Sequence, residues 1–428
     1  MDSEQSTAPG AHAMVRQTFC AIDFGTSNSA VAIAADALGA TRLVSLENEA
    51  LTMPSAVFYD SEDGRRSYGR AAIAAYVDGH PGRLMRSLKS ILGSALIEET
   101  TQLGDGLAVR YLDVIAGFLK QLVQAAEKSN GGVLEQVVLG RPVYFVDDDA
   151  KADARAEAAL ARAAHSVGFK EVSFQLEPVA AALDYQRQLS QPETVLIADI
   201  GGGTSDFTVI KLAQDGSAQV LANHGVHIAG TDFDQRVELA AILPLLGYGA
   251  HTPEGREVPN RIYYDLATWH LINGVYAPKR LAELIGMKHF YADQKLHQRL
   301  ISTVKQRLGH HLVARAEEAK IELSTQQQIS IGLSEVEPEL LVICEQASLS
   351  EALEPLLESI VLAAKETVRR AGLESSAIDA LYFTGGSTGL SILTLALSQA
   401  FSSARSAHGD RFSSVATGLG IEAARRYR

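Results

Sequence analysis

Two short loops far apart in this chain share one plan, and that repetition constrains the fold more than any other feature. The first is Asp23-Phe24-Gly25-Thr26-Ser27-Asn28; the second is Asp199-Ile200-Gly201-Gly202-Gly203-Thr204-Ser205-Asp206. Each follows an apolar β-like run, Thr18 to Ile22 and Thr194 to Ala198, and each leads into another, Ala30 to Ala34 and Phe207 to Lys211. Both therefore read as β-hairpins whose tips carry an Asp, small residues and hydroxyls. Such a tip suits a polyphosphate. Glycines admit backbone N–H groups to phosphate oxygens, hydroxyls add donors, and the Asp can hold a hydrated Mg²⁺. One hairpin in each half predicts a duplicated α/β domain with a cleft between the copies, where two tips clamp one nucleotide.

Composition fits a large folded chain. The 428 residues are 46% hydrophobic and 21% charged, which predicts two to four domains with sizeable cores. The net charge of −13 disfavours nucleic acid and acidic membrane surfaces as partners. Cys20 and Cys344 both lie in apolar runs and read as reduced core residues, which points to a cytoplasmic setting. No apolar run is long enough to predict a membrane span. Residues 1–17 are small and polar, and read as a disordered tail ahead of a natural start at Met14.

Along the chain, residues 18–60 read as a β-meander: the first hairpin, then strands over Arg42–Glu47 and Ser55–Tyr59, with Pro54 at a strand edge. A small, partly helical region over 66–100 contains Arg86-Ser87-Leu88-Lys89. Helical spacing covers 111–128, and an Ala-rich helix runs from Ala150 to Val167. Val137–Leu139 and Val172–Leu176 are expected strands, and Pro178–Gln186 a helix. In the second half Gly230-Thr231-Asp232-Phe233-Asp234 opens a helix, and 244–265 reads as loop. One long helix is expected from Asp293 to Leu323, on the stripe Leu296, Leu300, Val304, Leu308, Leu312, Ala316 and Leu323. Strands Ile329–Leu333 and Leu340–Cys344 follow, then a helix Leu353–Ala371 closed by Gly372. A strand Ala380–Thr384 enters Gly385-Gly386-Ser387-Thr388-Gly389, and a last helix spans Val415–Arg425.

Taken singly, the candidate residues have ordinary roles. An Asp in a turn commonly just forms it; the matched flanks are what mark Asp23 and Asp199 as metal-holding. Glu177 precedes Pro178 at a strand-to-helix junction, which is either a helix entry or a carboxylate projected into the cleft. Asp206 either orients a water or closes the turn. Thr26 and Thr204 are turn hydroxyls or phosphate donors, and a lone Lys89 is ordinarily solvated. Gly385 and Gly386 let backbone approach a flat ligand such as adenosine. His224 and His227, and the pair His310-His311, lack companion ligands for zinc. A serine-hydrolase elbow and a catalytic-cysteine signature are not expected, and the Gly-x-x-x-x-Gly-Lys-Ser/Thr loop is absent from the sequence.

At these residues the sequence resembles the actin-like ATPase superfamily and, within it, the DnaK-type heat-shock chaperones. Ala21 to Ser29 and Ala198 to Asp206 are similar to that family's two phosphate motifs. Leu176-Glu177-Pro178-Val179-Ala180-Ala181-Ala182 is similar to its catalytic-glutamate segment, and Ser87-Leu88-Lys89-Ser90-Ile91-Leu92-Gly93 to the segment carrying its phosphate-binding lysine. Gly230 to Asp234 and Thr384 to Thr388 match two more, so six motifs fall in order over about 370 residues. The layout is similar to a truncated bacterial member.

The resemblance implies lobe I over 18–195, with an outer subdomain at about 60–105, and lobe II over 196–408, with an outer subdomain at about 236–325. A closing helix over 409–428 returns to lobe I. It implies ATP or ADP with Mg²⁺, and K⁺ as a further candidate ion. Lys89 and Thr204 would lie near the γ-phosphate, Asp23, Asp199 and Asp206 would arrange metal and water, and Glu177 would support them. Gly25, Thr26, Ser27, Asn28, Gly201, Gly202 and Gly203 would hold phosphates; Glu317, Lys320, Ser324, Gly385, Gly386 and Ser387 would hold the nucleoside.

Several departures shape the expectation. The family's linker and peptide-binding sandwich are not expected after the closing helix, so the expectation is an ATPase switch without that domain, read by an unidentified protein. Ile321 stands where the family usually has an Arg that stacks on adenine, and Phe412-Ser413-Ser414 replaces its Pro-Asp-Glu. Residues 244–292 form an insert rich in aromatics, either a partner surface or packing for its own lobe. The alternatives are a small-molecule kinase of the same superfamily and an actin-like scaffold.

Overall fold

The computed structural model describes residues 18–35, 40–104, 107–146, 149–186, 189–214, 217–269, 271–410 and 413–427; the expected tail over 1–17 and Phe412 lie outside these. Two sheets carry the architecture, and they share one topology. The first runs Glu171–Leu176, Gln136–Arg141, Phe19–Phe24, Asn28–Ala34, Thr41–Leu43. Its first three strands are parallel, and the last two join antiparallel. The second runs Arg405–His408, Ala380–Thr384, Glu193–Ile200, Ser205–Leu212, Ala218–Val226, with the same succession of parallel and antiparallel pairings. Each Asp-bearing hairpin supplies the third and fourth strands of its sheet. The repetition in the loops is thus a repetition of the whole sheet, as the duplicated α/β expectation requires.

Strand alternation sets the layers. Cys20, Ile22 and Phe24 face a core with Phe118, Leu119 and Leu122 of helix Tyr111–Asn130 and Leu160 of helix Ala150–Ser166. Phe19 and Ala21 face the opposite way, onto Ala180 and Ala181 of helix Glu177–Gln186 and Leu419 and Ala423 of helix Ser414–Arg426. That same cluster takes in Val195, Ile197 and Ile210 from the second sheet. Two helices therefore form a shared layer between the sheets. Small residues permit their close approach: a Cβ on Gly418 would overlap the Ala180 carbonyl. The far face of the second sheet, with Leu196, Phe207 and Val209, packs on Ile360 and Ala364 of helix Gln346–Arg370.

Several expectations are corrected. The meander ends early: its third strand covers only Thr41–Leu43, and Ala56–Asp60 leaves to pair with Arg66–Tyr68 and Gly82–Arg86 in a separate sheet. Pro54 does end an edge strand, Thr52–Pro54. Strands Ala218–Val226 and Arg405–His408 were not apparent, because neither sequence alternates cleanly. The stretch 244–265 is not all loop: it includes helix Arg261–Leu266, and Pro278–Gly286 is helical further on. The helix expected over Asp293–Leu323 is two, Gln294–Lys305 and Gly309–Leu323. Between them Arg307 takes φ +55°, and the Leu308 N–H closes onto the Thr303 carbonyl at 3.0 Å. Gly309 fixes the break, since a Cβ there would sit 2.6 Å from Ile272. The apolar stripe survives the break, which is why periodicity alone missed it.

Candidate nucleotide site

Both hairpin aspartates sit at the same place, near the end of the third strand of each sheet. Asp23 pairs with Ala30 across its hairpin, and Asp199 with Asp206 across the other. The two tips approach each other: a Cβ on Gly202 would stand 2.5 Å from Ser27 Oγ. Gly25 is equally confined, because a Cβ there would overlap the Asn28 carbonyl. The carbonyls of the tips are tied back into the protein. Ser55 Oγ donates to Gly25 O at 2.7 Å, Ser387 Oγ to Gly201 O at 2.6 Å, and the Thr231 hydroxyl and amide to Gly202 O at 2.8 Å each. Turning carbonyl dipoles away removes the groups that would repel an anion. Ser55 was not singled out from the sequence; only its spatial link to Gly25 marks it.

Below the tips, Lys89 Nζ meets Glu177 Oε1 at 2.5 Å, and both side chains are largely covered. Lys89 is aimed by a short 3₁₀ turn, Leu88–Ile91, entered through Ser87 at φ +54°. Glu177 opens the helix Glu177–Gln186 and lies against Gly140, where a Cβ would be 3.1 Å from its Cγ. Burial pushes the Asp23 carboxyl up to about 8, helped by the charges of Glu177 and Asp199 and opposed by Lys89. Asp199 rises to about 7 through burial, Asp206 and Glu177, again against Lys89. Burial works against the charge on Lys89, but Glu177, Asp23 and Asp199 outweigh it and raise its pKa. Lys89, Glu177, Asp23, Asp199 and Asp206 thus share one electrostatic neighbourhood in which carboxyl groups exceed the one cation.

That excess fits a divalent cation, and an all-carboxylate donor set suits hard Mg²⁺. Among the described residues no three such side chains converge as a cage. Mg²⁺ commonly keeps several waters and takes substrate phosphates as ligands, so Asp23 and Asp199 fit it through water.

The residues expected to hold the nucleoside lie on helix Gly309–Leu323, just past its end, and in the turn after Ala380–Thr384. Gly385 takes φ +85°, and a Cβ there would press on Ile200 O and lie 2.6 Å from Asp199 Oδ1. Gly386 and Ser387 begin the next 3₁₀ turn. The helix end is joined to the start of helix Ser391–Ala400, which follows this turn, with Ser391 Oγ donating to Ser324 O at 3.2 Å. Ser324 Oγ itself donates to Ile321 O. Lys320 is committed to Asp234 at 2.6 Å, and Asp232 caps its own helix by accepting from the Ala229 N–H. Ile321 is 59% exposed, an apolar side chain left on the surface of the helix that carries Lys320. Residues 385–389 do match the letters Gly-x-Ser-x-Gly, contrary to expectation. The Ser387 hydroxyl is spent on Gly201, so the match is structural.

Of the insert aromatics, Tyr263 and Tyr291 are fully buried and share a hydrogen bond, and Tyr276 receives the Gly309 N–H at 2.8 Å. Packing onto their own lobe is the role of these three. Tyr264 and Phe290 stay exposed.

A duplicated sheet with polar hairpin tips facing across a cleft is the two-lobed, actin-like ATPase architecture. The family model described as Hsp70 protein matches residues 19–241 and 283–425, and the chain belongs to the Hsp70 family. A "Chaperone protein HscA homolog" of Vibrio vulnificus (strain YJ016) is 30% identical over 323 residues, 71% of this chain and 49% of that protein. Proteins of the same description from Shewanella sp. (strain ANA-3) and Pseudomonas aeruginosa (strain LESB58) are each 32% identical over 55% of this chain, and 38% and 39% of their own lengths. The chain spans about half the length, or less, of the curated relatives it matches.

Proposed function

We infer that this chain binds ATP or ADP with Mg²⁺ between its lobes and hydrolyses ATP slowly, as a chaperone-type switch. The observation that carries this reading is the convergence of two Asp-bearing tips on the Lys89–Glu177 pair. In this reading the Gly25–Asn28 and Gly201–Gly203 loops cradle the phosphates, and Asp23 and Asp199 hold the ion through water. When bound, Mg²⁺ would neutralise phosphate charge. Lys89 and the Thr204 hydroxyl stabilise charge that develops at the γ-phosphate. The Asp206 carboxylate orients the attacking water, and Glu177 keeps Lys89 aimed. Glu317, Lys320 and Ser324 face the nucleoside with Gly385–Ser387, and Lys320 acts through its pairing with Asp234.

The output is movement of the lobes, sensed by a protein partner. No described helix is long and apolar enough to cross a membrane. Both cysteines are buried and free, which supports a reducing, cytoplasmic setting. Titration calorimetry with ATP and ADP, with and without Mg²⁺, followed by single-turnover hydrolysis, tests the proposal. Micromolar or tighter Mg²⁺-dependent binding with slow turnover is expected. No binding at millimolar nucleotide overturns it.

A further inference from the structure

The two lobes also meet away from the phosphate loops, through aromatic side chains. Tyr76 belongs to the lobe I helix Gly69–Val77. Its ring centroid lies 6.1 Å from that of Trp269 and 4.6 Å from that of His310, both in lobe II. Trp269 and His310 are themselves 4.6 Å apart. The Arg86 guanidinium, from lobe I strand Gly82–Arg86, lies over the Trp269 ring at 4.6 Å. Asn273 Nδ2 donates to the Tyr76 hydroxyl, and Asn273 Oδ1 faces His310 Nε2 at 3.4 Å. Two aromatic contacts, one cation–π contact and one hydrogen bond thus join the lobes at a single place.

Trp269 and Asn273 lie in residues 242–282, between the two blocks that match the Hsp70 family model. They come from the part of this chain that the match leaves out. Both sides of the contact lead into the nucleotide site. On lobe I, Arg86 precedes Ser87, in its left-handed conformation, and then Lys89. It also feels the charge of Glu317 across the gap. On lobe II, the segment is fastened to helix Gly309–Leu323, which carries Glu317 and Lys320, through Tyr276 and Ile272 at Gly309. Burial holds the His310 pKa down to about 4, with Arg86 and His311 adding to the effect, so an uncharged ring faces the guanidinium.

We propose that Trp269, gripped by Tyr76 and Arg86, is a clasp that closes the nucleotide cleft, and that its opening limits nucleotide release. This rests on the nucleotide-binding reading above and adds to it a regulator carried by residues 242–282. The clasp must open for the lobes to separate, so its loss speeds dissociation while leaving the phosphate-binding groups in place.

Trp269 is the single tryptophan of the chain, so the clasp carries its own probe. The test loads the full chain with a fluorescent N-methylanthraniloyl-ADP and Mg²⁺ and chases it with excess ATP in stopped flow. Trp269→Ala and Tyr76→Ala should each release the analogue about tenfold faster than wild type, as expected for losing contacts of this kind. The double variant should gain little further, because each single change already breaks the same contact. In wild type, Trp269 emission should change on nucleotide release, and Tyr76→Ala should reproduce the released spectrum. Tyr76→Ala reads the clasp from lobe I and serves even if Trp269→Ala does not fold. Wild-type release rates in folded Trp269→Ala or Tyr76→Ala overturn the clasp and leave the nucleotide reading standing. Failure of wild type to bind the analogue overturns the nucleotide reading, and the clasp falls with it.

Discussion

Replacing Lys89 by alanine removes the positive charge that faces Asp23, Glu177 and Asp199. Lys89 and Glu177 retain only 10% and 13% side-chain exposure, so their pairing is shielded from solvent. Breaking such a pair from one side costs about 3–5 kcal/mol, because the other charge stays buried and uncompensated. An unfolding entropy of about 2.1 cal/mol/K per residue gives a chain of this size roughly 0.9 kcal/mol/K, so melting should fall by about 3–6 °C. Lys89 holds the Asp23 and Asp199 pKa values down, so its removal lifts them further. A carboxyl whose folded pKa exceeds its unfolded one weakens the fold as pH rises between the two values. In metal-free, nucleotide-free buffer the deficit should therefore be larger at pH 8 than at pH 5. Calorimetry at both pH values measures this, and single-turnover hydrolysis measures catalysis. Turnover should fall about 10²–10³-fold, as when one transition-state donor is lost, with ADP affinity changed far less. A deficit that is equal at both pH values, or equal losses of binding and turnover, would refute the electrostatic account.

Gly385→Ala forces a Cβ into a left-handed position against Ile200 and Asp199, so it should destabilise the fold by about 2 kcal/mol and weaken ADP binding; unchanged melting and affinity would contradict this. Glu238 is fully buried, and its carboxylate oxygens find no hydrogen-bond partner among the described residues. Burial, with the charge of Asp234, raises its pKa, so its cost is absent below the unfolded value of about 4.3 and grows by about 1.4 kcal/mol per pH unit until the folded pKa is reached. Glu238→Gln should accordingly raise the melting temperature at pH 7.5 and do nothing at pH 4, which a pair of thermal scans decides. Ile321→Arg puts a cation on an exposed position of the helix that carries Lys320 and, if the proposed nucleoside site is right, should tighten ADP binding about two- to fivefold, a stacking gain of about 0.5–1 kcal/mol; calorimetry showing no gain would separate Ile321 from base binding.

The two hairpins were legible because the same local grammar, an apolar strand, an Asp, glycines and hydroxyls, occurs twice, and each hairpin is a local object. The partners of those loops were harder to see. Ser55 touches Gly25 only because the chain folds back between them, and nothing in its immediate sequence says so. Strand Ala218–Val226 escaped notice because Asn223, His224 and Gly225 dilute its apolar pattern, although it completes the second sheet. The break at Arg307 lay hidden under an uninterrupted Leu stripe, since it depends on Ile272 and Tyr276 packing against Gly309. Contact between Tyr76 and Trp269 joins residues nearly 200 positions apart, and no periodicity reaches that far. The insert's aromatics were visible as a group, but only tertiary packing assigns Tyr263 to a core and Trp269 to the opposite lobe.

The helix Ser414–Arg426, wedged beside Glu177–Gln186 between the two sheets, has a consequence for biosynthesis. It lies roughly 230 residues downstream of the helix it packs against. During translation, the first sheet and its outer helices emerge early, while the face of Phe19, Ala21 and Val138 lacks half its cover. At roughly 5–20 residues per second, that face waits on the order of ten to fifty seconds for its last helix. The nascent first lobe is therefore expected to expose an apolar face on the ribosome until that helix arrives, which would make a member of a chaperone family a candidate client itself. Chains stalled before Ser414 should be cut in lobe I by dilute protease, and chains released after Arg426 should resist; equal resistance would show that lobe I matures without its final helix.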